Sequence, residues 1–274
     1  MKSLVLELLR VFVILAVVFL PTSICAQTLT IPAGWNATAE PSGTFEEHSK
    51  LMQANHSGHE WRVSESSGKL EITDDPNRDY QHKDVVFPPQ FHRTKGMIGR
   101  ALTARASSDW LIGFNGGEFG GGLWWTSPDG KRTKLMTGEN VQAFIQRGKD
   151  VLVLTGLAHM TYDQGTAYLF RSTNEDGEII RIADLDSAPS AALLENNGSV
   201  LIAVSNGVVT LRPNGSVVRL YKQENMPILY PNSIVGEESE TIFVGMRFYV
   251  LRLHLGANGI FESSWFERSS KRRN

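Results

Sequence analysis

The sequence has almost no cysteine: Cys25 is the only one among its 274 residues. Cys25 lies at the end of an apolar N-terminal segment with the features of a cleaved export signal, so the mature chain is expected to contain none. This excludes a disulfide framework, a thiolate metal site and a cysteine nucleophile. A chain of this length can bury enough apolar surface to be stable without disulfides.

An excess of charge is missing as well, since 27 basic and 29 acidic residues give a formal net charge of −2. Nucleic-acid binding requires a basic footprint, so no nucleic-acid partner is expected. Familiar catalytic motifs are also absent. The sequence contains no His-Glu-x-x-His, no Gly-x-Ser-x-Gly, no phosphate-binding loop and no Rossmann glycine pattern.

Long hydrophobic runs are confined to the N-terminus, where Val11 to Leu20 is uninterrupted and apolar. About ten residues are too few to span a bilayer as a helix. We interpret residues 1–26 as a signal peptide that is cut after Ala26, with an uncleaved anchor as the alternative. The sequence therefore predicts a secreted or periplasmic protein whose mature chain has no membrane span.

Four segments of the remaining chain repeat one plan of four short strands. Their β-branched second strands begin roughly 40 to 50 residues apart, which is the period of propeller blades. An Asn-Gly or Asp-Gly type turn precedes each fourth strand, as a tight hairpin requires. The sequence thus predicts an all-β chain, a β-propeller of four-stranded blades. The predicted second strands are Trp110–Phe114, Val151–Leu154, Val200–Val204 and Ile242–Val244.

Residues 27–274 are predicted to form this single propeller domain, most simply with five blades and alternatively with six short ones. Trp61 to Ile72 is interpreted as the third and fourth strands of a fifth unit, and residues 74–95 as an inserted loop. Leu29 to Pro32 is predicted to close the ring against the last blade. Glu46 to Ala54 is the one helix candidate, and residues 269–274 are predicted to be a flexible tail.

Loops between second and third strands emerge on the same face of a propeller as the entries to the first strands. A concave centre with convergent polar groups is the usual binding site, so we predict a ligand site on this face. Trp124 is a candidate stacking surface, although core packing is the alternative for it. The remaining candidates for ligand contacts are Glu118, His159, Tyr162, Asp163, Asn232 and Arg247.

Two stretches carry a family likeness: Ser190 to Leu220 and Tyr230 to Leu255 resemble blades of the NHL-like and gluconolactonase (SMP-30-like) propellers. Pro231-Asn232-Ser233-Ile234 is similar to the Pro-Asn-Gly strand of that group, whose Asn binds a divalent metal. Ser233 replaces the Gly, and Ser187 to Ala191 stands where that group would place its acidic ligand. Glu118 to Trp125 also resembles a segment of exported bacterial propeller-like proteins.

Three functions follow as hypotheses. The first is an exported propeller that binds a small-molecule or carbohydrate-type ligand on its loop-bearing face. The second, implied by the resemblance, is a metal-dependent lactonase or related hydrolase. In it Asn232 would help to bind a divalent metal, the only cofactor considered, and Glu118 or His159 would be the catalytic residue that moves protons. The third is a structural or protein-interaction propeller of the envelope.

Overall fold

The computed structural model describes residues 29–41, 51–75, 85–173, 177–224, 229–237 and 240–269. Within these ranges, nineteen strands form five antiparallel sheets, which confirms the all-β propeller prediction. The predicted signal peptide and residues 270–274 of the predicted tail lie outside the described residues. Residues 51–55 are helical, while the first half of the predicted helix also lies outside them. No described helix is both long and apolar enough to cross a membrane.

Each sheet is one blade, numbered here in chain order. Blade 1 has two described strands, blades 2 to 4 have four each, and blade 5 has four plus one from the N-terminus. Blade 1 is β2 (Trp61–Ser66) and β3 (Lys69–Asp74). Blade 2 is β4 (Arg100–Ala106), β5 (Asp109–Asn115), β6 (Gly121–Thr126) and β7 (Thr133–Thr137). Blade 3 is β8 (Val141–Arg147), β9 (Asp150–His159), β10 (Tyr162–Ser172) and β11 (Gly177–Asp184).

Blades 4 and 5 complete the ring. Blade 4 is β12 (Pro189–Leu194), β13 (Val200–Val204), β14 (Gly207–Leu211) and β15 (Val217–Lys222). Blade 5 is β16 (Ser233–Glu237), β17 (Thr241–Gly245), β18 (Tyr249–Leu255) and β19 (Phe261–Arg268), with β1 (Trp35–Thr38) on its outer edge. In blades 2 to 5 the predicted second strands are the observed second strands, β5, β9, β13 and β17.

The hydrophobic core lies between the blades. Second strands are covered on both faces, and all five residues of β13 and of β17 are buried. Leu152 and Leu154 of blade 3 pack with Val200 and Ile202 of blade 4 in one such cluster. Because both faces are covered, these strands are continuous apolar runs rather than alternating ones, which is why the sequence pattern identifies them.

Blade 1 differs from its prediction. Strand β2 contacts β16, the first strand of blade 5, just as β16 contacts β12 and β12 contacts β8. The Trp61 N–H donates to Met246 O (3.0 Å) and the Val63 N–H donates to Ser233 Oγ (2.9 Å). Strand β2 is therefore the inner strand of its blade. The interpretation of Trp61 to Ile72 as third and fourth strands is wrong.

The predicted inserted loop is described from residue 85 onwards and has no strand there. Val85, Phe87 and Phe91 pack against the buried cluster of blade 2 that contains Phe114 and Trp124. This segment thus covers one face of blade 2.

Ring closure uses a segment slightly later than predicted. Trp35–Thr38, and not Leu29 to Pro32, pairs with β19, with Trp35 opposite Arg268. Pro32 lacks the N–H that a strand pair requires, and Gly34 has a φ of +89° that turns the chain before the strand begins. Leu29 is nevertheless buried in the cluster between blades 5 and 1.

Candidate functional site

A pocket of about 670 Å³ lies on the face where the first strands begin. Blades 2, 3 and 4 contribute to it, together with the connection into blade 5 and the end of the short helix. We call it the axial pocket, because the starts of the inner strands β8, β12 and β16 surround it. Its polar lining includes Asn55, Asn115, Gln142, His159, Tyr162, Asp163, Ser190, Ser205 and Tyr230.

Amide side chains make the wall between blades 2 and 3. Asn115 Nδ2 donates to Gln142 Oε1 at 2.9 Å, and Gln142 Nε2 donates to Gly156 O at 2.8 Å. The Asn115 side-chain oxygen accepts from the Gly117 N–H at 3.0 Å, which ties the wall to the β5–β6 loop. The orientation of both amides is therefore fixed by hydrogen bonds rather than left free.

Glu118 and His159 are brought together from two blades. Glu118 lies in a single 3₁₀ turn, Gly117–Phe119, and His159 is the last residue of β9. His159 Nε2 is 2.8 Å from Glu118 Oε2, and the two side chains are 41 % and 48 % exposed. A carboxylate can only accept, so the imidazole N–H donates. An exposed pair of this kind contributes little to stability, but it places Glu118 beside His159, which lines the axial pocket.

The glycines around Glu118 allow close approach of neighbouring backbone and side-chain atoms. A Cβ at Gly121 would lie 2.4 Å from Asn140 Oδ1 and 2.4 Å from Phe114 O. Asn140 in turn accepts from the Gly116 N–H (3.2 Å) and donates to Gly117 O (2.9 Å). Asn140 directly precedes β8, so these hydrogen bonds connect the β5–β6 loop to blade 3.

Asp163 accepts hydrogen bonds from two residues of the neighbouring blade region. Its Oδ1 accepts from the Ala188 N–H at 2.8 Å, and its Oδ2 accepts from Ser205 Oγ at 2.5 Å. Both carboxylate oxygens thus link blade 3 to blade 4 at the pocket wall. Tyr162, directly before it, is half exposed, and its hydroxyl donates to Gln164 Oε1 at 3.0 Å.

Asn232 and Arg247 meet at a residue that sequence reasoning missed, Glu60. Arg247 Nε donates to Glu60 Oε1 at 2.9 Å, and Asn232 Nδ2 donates to Glu60 Oε2 at 2.9 Å. The side chains of Arg247 and Glu60 are only 15 % and 3 % exposed. The Arg247 guanidinium also lies 3.5 Å from the ring centroid of Tyr230. This buried network supports one wall of the axial pocket.

A divalent metal does not fit this network. Glu60 supplies the carboxylate beside Asn232 that the lactonase hypothesis requires. Its charge, however, is already balanced by Arg247, and both of its oxygens accept hydrogen bonds. The side-chain oxygen of Asn232 accepts from Ser233 Oγ at 2.8 Å. Over the described ranges, no group of three or more His, Cys, Asp or Glu side chains is arranged to hold a metal ion.

Trp124 lies in the core and not on the ligand face. It is 7 % exposed and packs edge-on against Phe114, with ring centroids 5.4 Å apart. Its direction follows from strand alternation in β6, since its neighbour Trp125 points into the opposite interface between blades 2 and 3. The stacking role considered for Trp124 is therefore corrected to core packing.

A smaller pocket of about 310 Å³ adjoins the axial pocket on the side of blade 2. We call it the side pocket. Glu118 and Glu139 are its carboxylates, and Leu157 and Tyr162 line both pockets. Glu139 accepts from Thr155 Oγ1 (2.5 Å) and from the Tyr168 hydroxyl (2.7 Å). Burial, together with this bond to Glu139, raises the pKa of Tyr168 above its ordinary value.

No protein-family model matches the chain, and no curated protein sequence matches it. Solved structures do resemble it. The extracellular domain of a hybrid two-component system from B. thetaiotaomicron is 15 % identical with a TM-score of 0.37, over 60 % of this chain and 20 % of that one. A gluconolactonase from Xanthomonas campestris is 11 % identical with a TM-score of 0.36, over 75 % of this chain and 63 % of that one.

A further similar structure is a catalytically inactive virginiamycin B lyase from Staphylococcus aureus with quinupristin. It is 11 % identical with a TM-score of 0.34, and the match covers 87 % of this chain and 90 % of that one. The chain spans less than two thirds of the length of the first two proteins. Two of the similar structures are thus described as gluconolactonases, one of them provisionally. The assignment of the fold as a propeller depends on the five observed sheets and their strand order.

Proposed function

We propose that the protein is an exported propeller that binds a neutral, carbohydrate-type ligand in the axial pocket. The observation that carries this proposal is the convergence of amide and tyrosine side chains from separate blades on one concave centre. Amides exchange paired hydrogen bonds with sugar hydroxyls, and aromatic rings pack against the apolar faces of sugar rings. The pocket volume falls within the range of small-molecule sites.

The charges around the axial pocket also favour a neutral ligand. Asp163 is satisfied by Ala188 N and Ser205 Oγ, and His159 by Glu118. An ionic ligand would have to compete with these contacts. The amides of Asn115 and Gln142 each use one of their two N–H groups in the bonds described above, so a ligand hydroxyl can accept from the second without the loss of an existing contact. We therefore expect recognition by neutral hydrogen bonds and ring stacking.

Isothermal titration calorimetry of the purified protein with neutral monosaccharides and disaccharides tests the proposal. The panel is glucose, galactose, N-acetylglucosamine, cellobiose, maltose and chitobiose. At least one is expected to bind, and Tyr162→Ala is expected to weaken that binding by about tenfold, or ~1.4 kcal/mol, because a stacking surface is lost. Ile260→Ala, which truncates another exposed apolar side chain, at a hairpin turn outside the pocket lining, should leave the affinity unchanged.

Failure of every sugar to bind would overturn the proposal, as would wild-type affinity in Tyr162→Ala.

The lactonase hypothesis is tested separately. When the wild-type protein is mixed with gluconolactone and Ca²⁺, Mg²⁺ or Zn²⁺, we expect no hydrolysis above the uncatalysed rate, because Arg247 balances the charge of Glu60. Metal-dependent hydrolysis that is lost in Asn232→Ala would instead establish the lactonase hypothesis.

A further inference from the structure

The axial and side pockets are neighbours that share part of their lining. Leu157 and Tyr162 belong to the lining of both pockets. Tyr162 is therefore a common wall, and a ligand that packs on its ring has space on either side. A single small sugar in the axial pocket would leave the side pocket unused.

The Glu118–His159 contact lies at the junction of the two pockets. Glu118 lines the side pocket and His159 lines the axial pocket. Their 2.8 Å contact joins the β5–β6 loop to the β9–β10 hairpin. The two pockets therefore meet where a loop of blade 2 contacts a hairpin of blade 3.

Exposed apolar side chains line the axial pocket, and one more lies between residues that line the side pocket. Met160, Tyr162 and Tyr230 line the axial pocket and are exposed, and Phe119, next to Glu118, is 78 % exposed. Single exposed apolar residues are ordinary on soluble proteins, but a group at two adjoining pockets marks a contact surface. The separate rings of Tyr230, Tyr162 and Phe119 could each pack against one sugar unit of an oligosaccharide.

We propose that the ligand is a linear neutral glycan of at least two linked units, which extends from the axial pocket past Tyr162 into the side pocket. This inference rests on the proposed function and adds the length and direction of the ligand. Glu118 and Glu139 also define what the side pocket rejects. Since neither Lys nor Arg is found among the described residues that line it, a uronate unit there is repelled by like charge.

The dependence of affinity on chain length tests the inference. Cello-, malto- and chito-oligosaccharides of one to four units are titrated into the wild-type protein and into Gly138→Phe. Gly138 lines the side pocket, a Cβ there meets no atom within 4 Å, and its φ lies outside the left-handed region. A phenylalanine there has room for its Cβ and places no strain on the backbone, and we expect its ring to occupy the side pocket.

For at least one series, wild-type affinity is expected to rise tenfold or more from the monosaccharide to the longer members. In Gly138→Phe that rise should be lost while the monosaccharide affinity is retained. Phe119→Ala should reduce the affinity for the longer members alone. Ile260→Phe, which adds a ring at a remote exposed turn, should behave as wild type, and melting temperatures of all variants report whether each is folded.

The outcomes separate the two proposals. Binding of a monosaccharide with no gain from longer chains overturns the extended ligand and leaves the axial site in place. A gain with length that persists in Gly138→Phe overturns the assignment of the side pocket. Tighter binding of oligogalacturonate than of the neutral series contradicts the charge argument, and no binding of any series overturns both proposals.

Discussion

Glu60 carries a charge in the interior of the molecule, directly before the inner strand of blade 1. A buried carboxylate is costly unless it is paired and hydrogen-bonded, and Arg247 and Asn232 meet both needs. Removal of one partner leaves the other charge without compensation, which costs more than the pair itself is worth. The network is thus sensitive to single substitutions and tolerant of paired ones.

Arg247→Met is therefore expected to lower the free energy of unfolding by about 3–5 kcal/mol, measured by urea titration. Glu60→Gln combined with Arg247→Met should cost less than Arg247→Met alone, because the buried charge is then removed. Arg171→Met is the matched control, since its partner Asp150 is contacted by a half-exposed guanidinium, and it should cost less than about 1 kcal/mol. Equal losses in the two single variants would contradict this account.

At the residue scale, three of the sequence candidates, His159, Tyr162 and Asp163, line the axial pocket. The amides of that pocket were not among the candidates, nor was Glu60, which joins Asn232 to Arg247. Asn232 and Arg247 stood out because the repeat placed them in two kinds of loop, the entry to a first strand and the link between second and third strands, that emerge on the same face. Glu60 lies before an inner strand that the pattern assigned to the wrong position, so no register connected it to them. Trp124 and Trp125 alternate in one strand, and alternation shows only that they face opposite ways.

At the scale of strands, the sequence identified the second strands because burial on both faces makes them continuous apolar runs. The turns at Gly130, Gly215 and Gly259 have positive φ, as predicted for these hairpins. Strand β2 was recognised as a strand but assigned to the third position of its blade, because Trp-Arg-Val-Ser-Glu-Ser alternates like any half-buried strand and nothing in that pattern marks an inner one. Strand β1 was missed because Trp-Asn-Ala-Thr has little β-branched character, whereas the Leu-Thr-Ile run before it has more.

Outer strands of neighbouring blades are connected through Glu40. The Tyr221 hydroxyl of β15 donates to Glu40 Oε1 at 2.8 Å, and Ser263 of β19 donates to Glu40 Oε2 at 3.3 Å. Burial, and then the bond to Glu40, raise the pKa of Tyr221 well above its usual range. The pKa of Tyr168 in β10 is raised for the same kinds of reason.

These raised pKa values predict a loss of stability at alkaline pH. Above the ordinary tyrosine pKa of about 10, the unfolded chain releases phenolic protons that the folded chain still holds. The unfolded state then binds fewer protons, so the free energy of unfolding falls as pH rises. Tyr221→Phe should be less stable near pH 8 by about 1 kcal/mol for the lost hydrogen bond, and its decline from pH 9 to 11 should be shallower. Urea titrations across that range measure both, and parallel declines would contradict the assignment.

At the scale of the whole molecule, the ring is closed by β1 on the outer edge of blade 5. Trp35 is buried and meets Trp61 of blade 1 edge-on, with centroids 5.0 Å apart and an interplanar angle of 79°. The Arg268 guanidinium lies 5.8 Å from the Trp35 ring. The Trp35 side chain thus contacts both Arg268 of β19, in blade 5, and Trp61 of blade 1.

Trp35→Ala is expected to lower the free energy of unfolding by about 3–5 kcal/mol, the usual cost of removing a buried tryptophan. Phe119→Ala, which truncates an exposed ring, should change it by less than ~0.5 kcal/mol. Thermal and urea unfolding of the two variants measure the difference. A loss in Trp35→Ala no larger than in Phe119→Ala would show that closure contributes little to stability.

The pairing of Trp35 with Arg268 also orders the assembly of the ring in time. Blades 2 to 4 are built from strands that follow one another along the chain, so each can form soon after its own segment is synthesised. Strand β1 is among the first segments to be made, yet its partner β19 is among the last. Contacts of such large sequence separation form slowly. We therefore expect a late folding intermediate with blades formed and the circle open, which closes only when the C-terminal strand meets the N-terminal one.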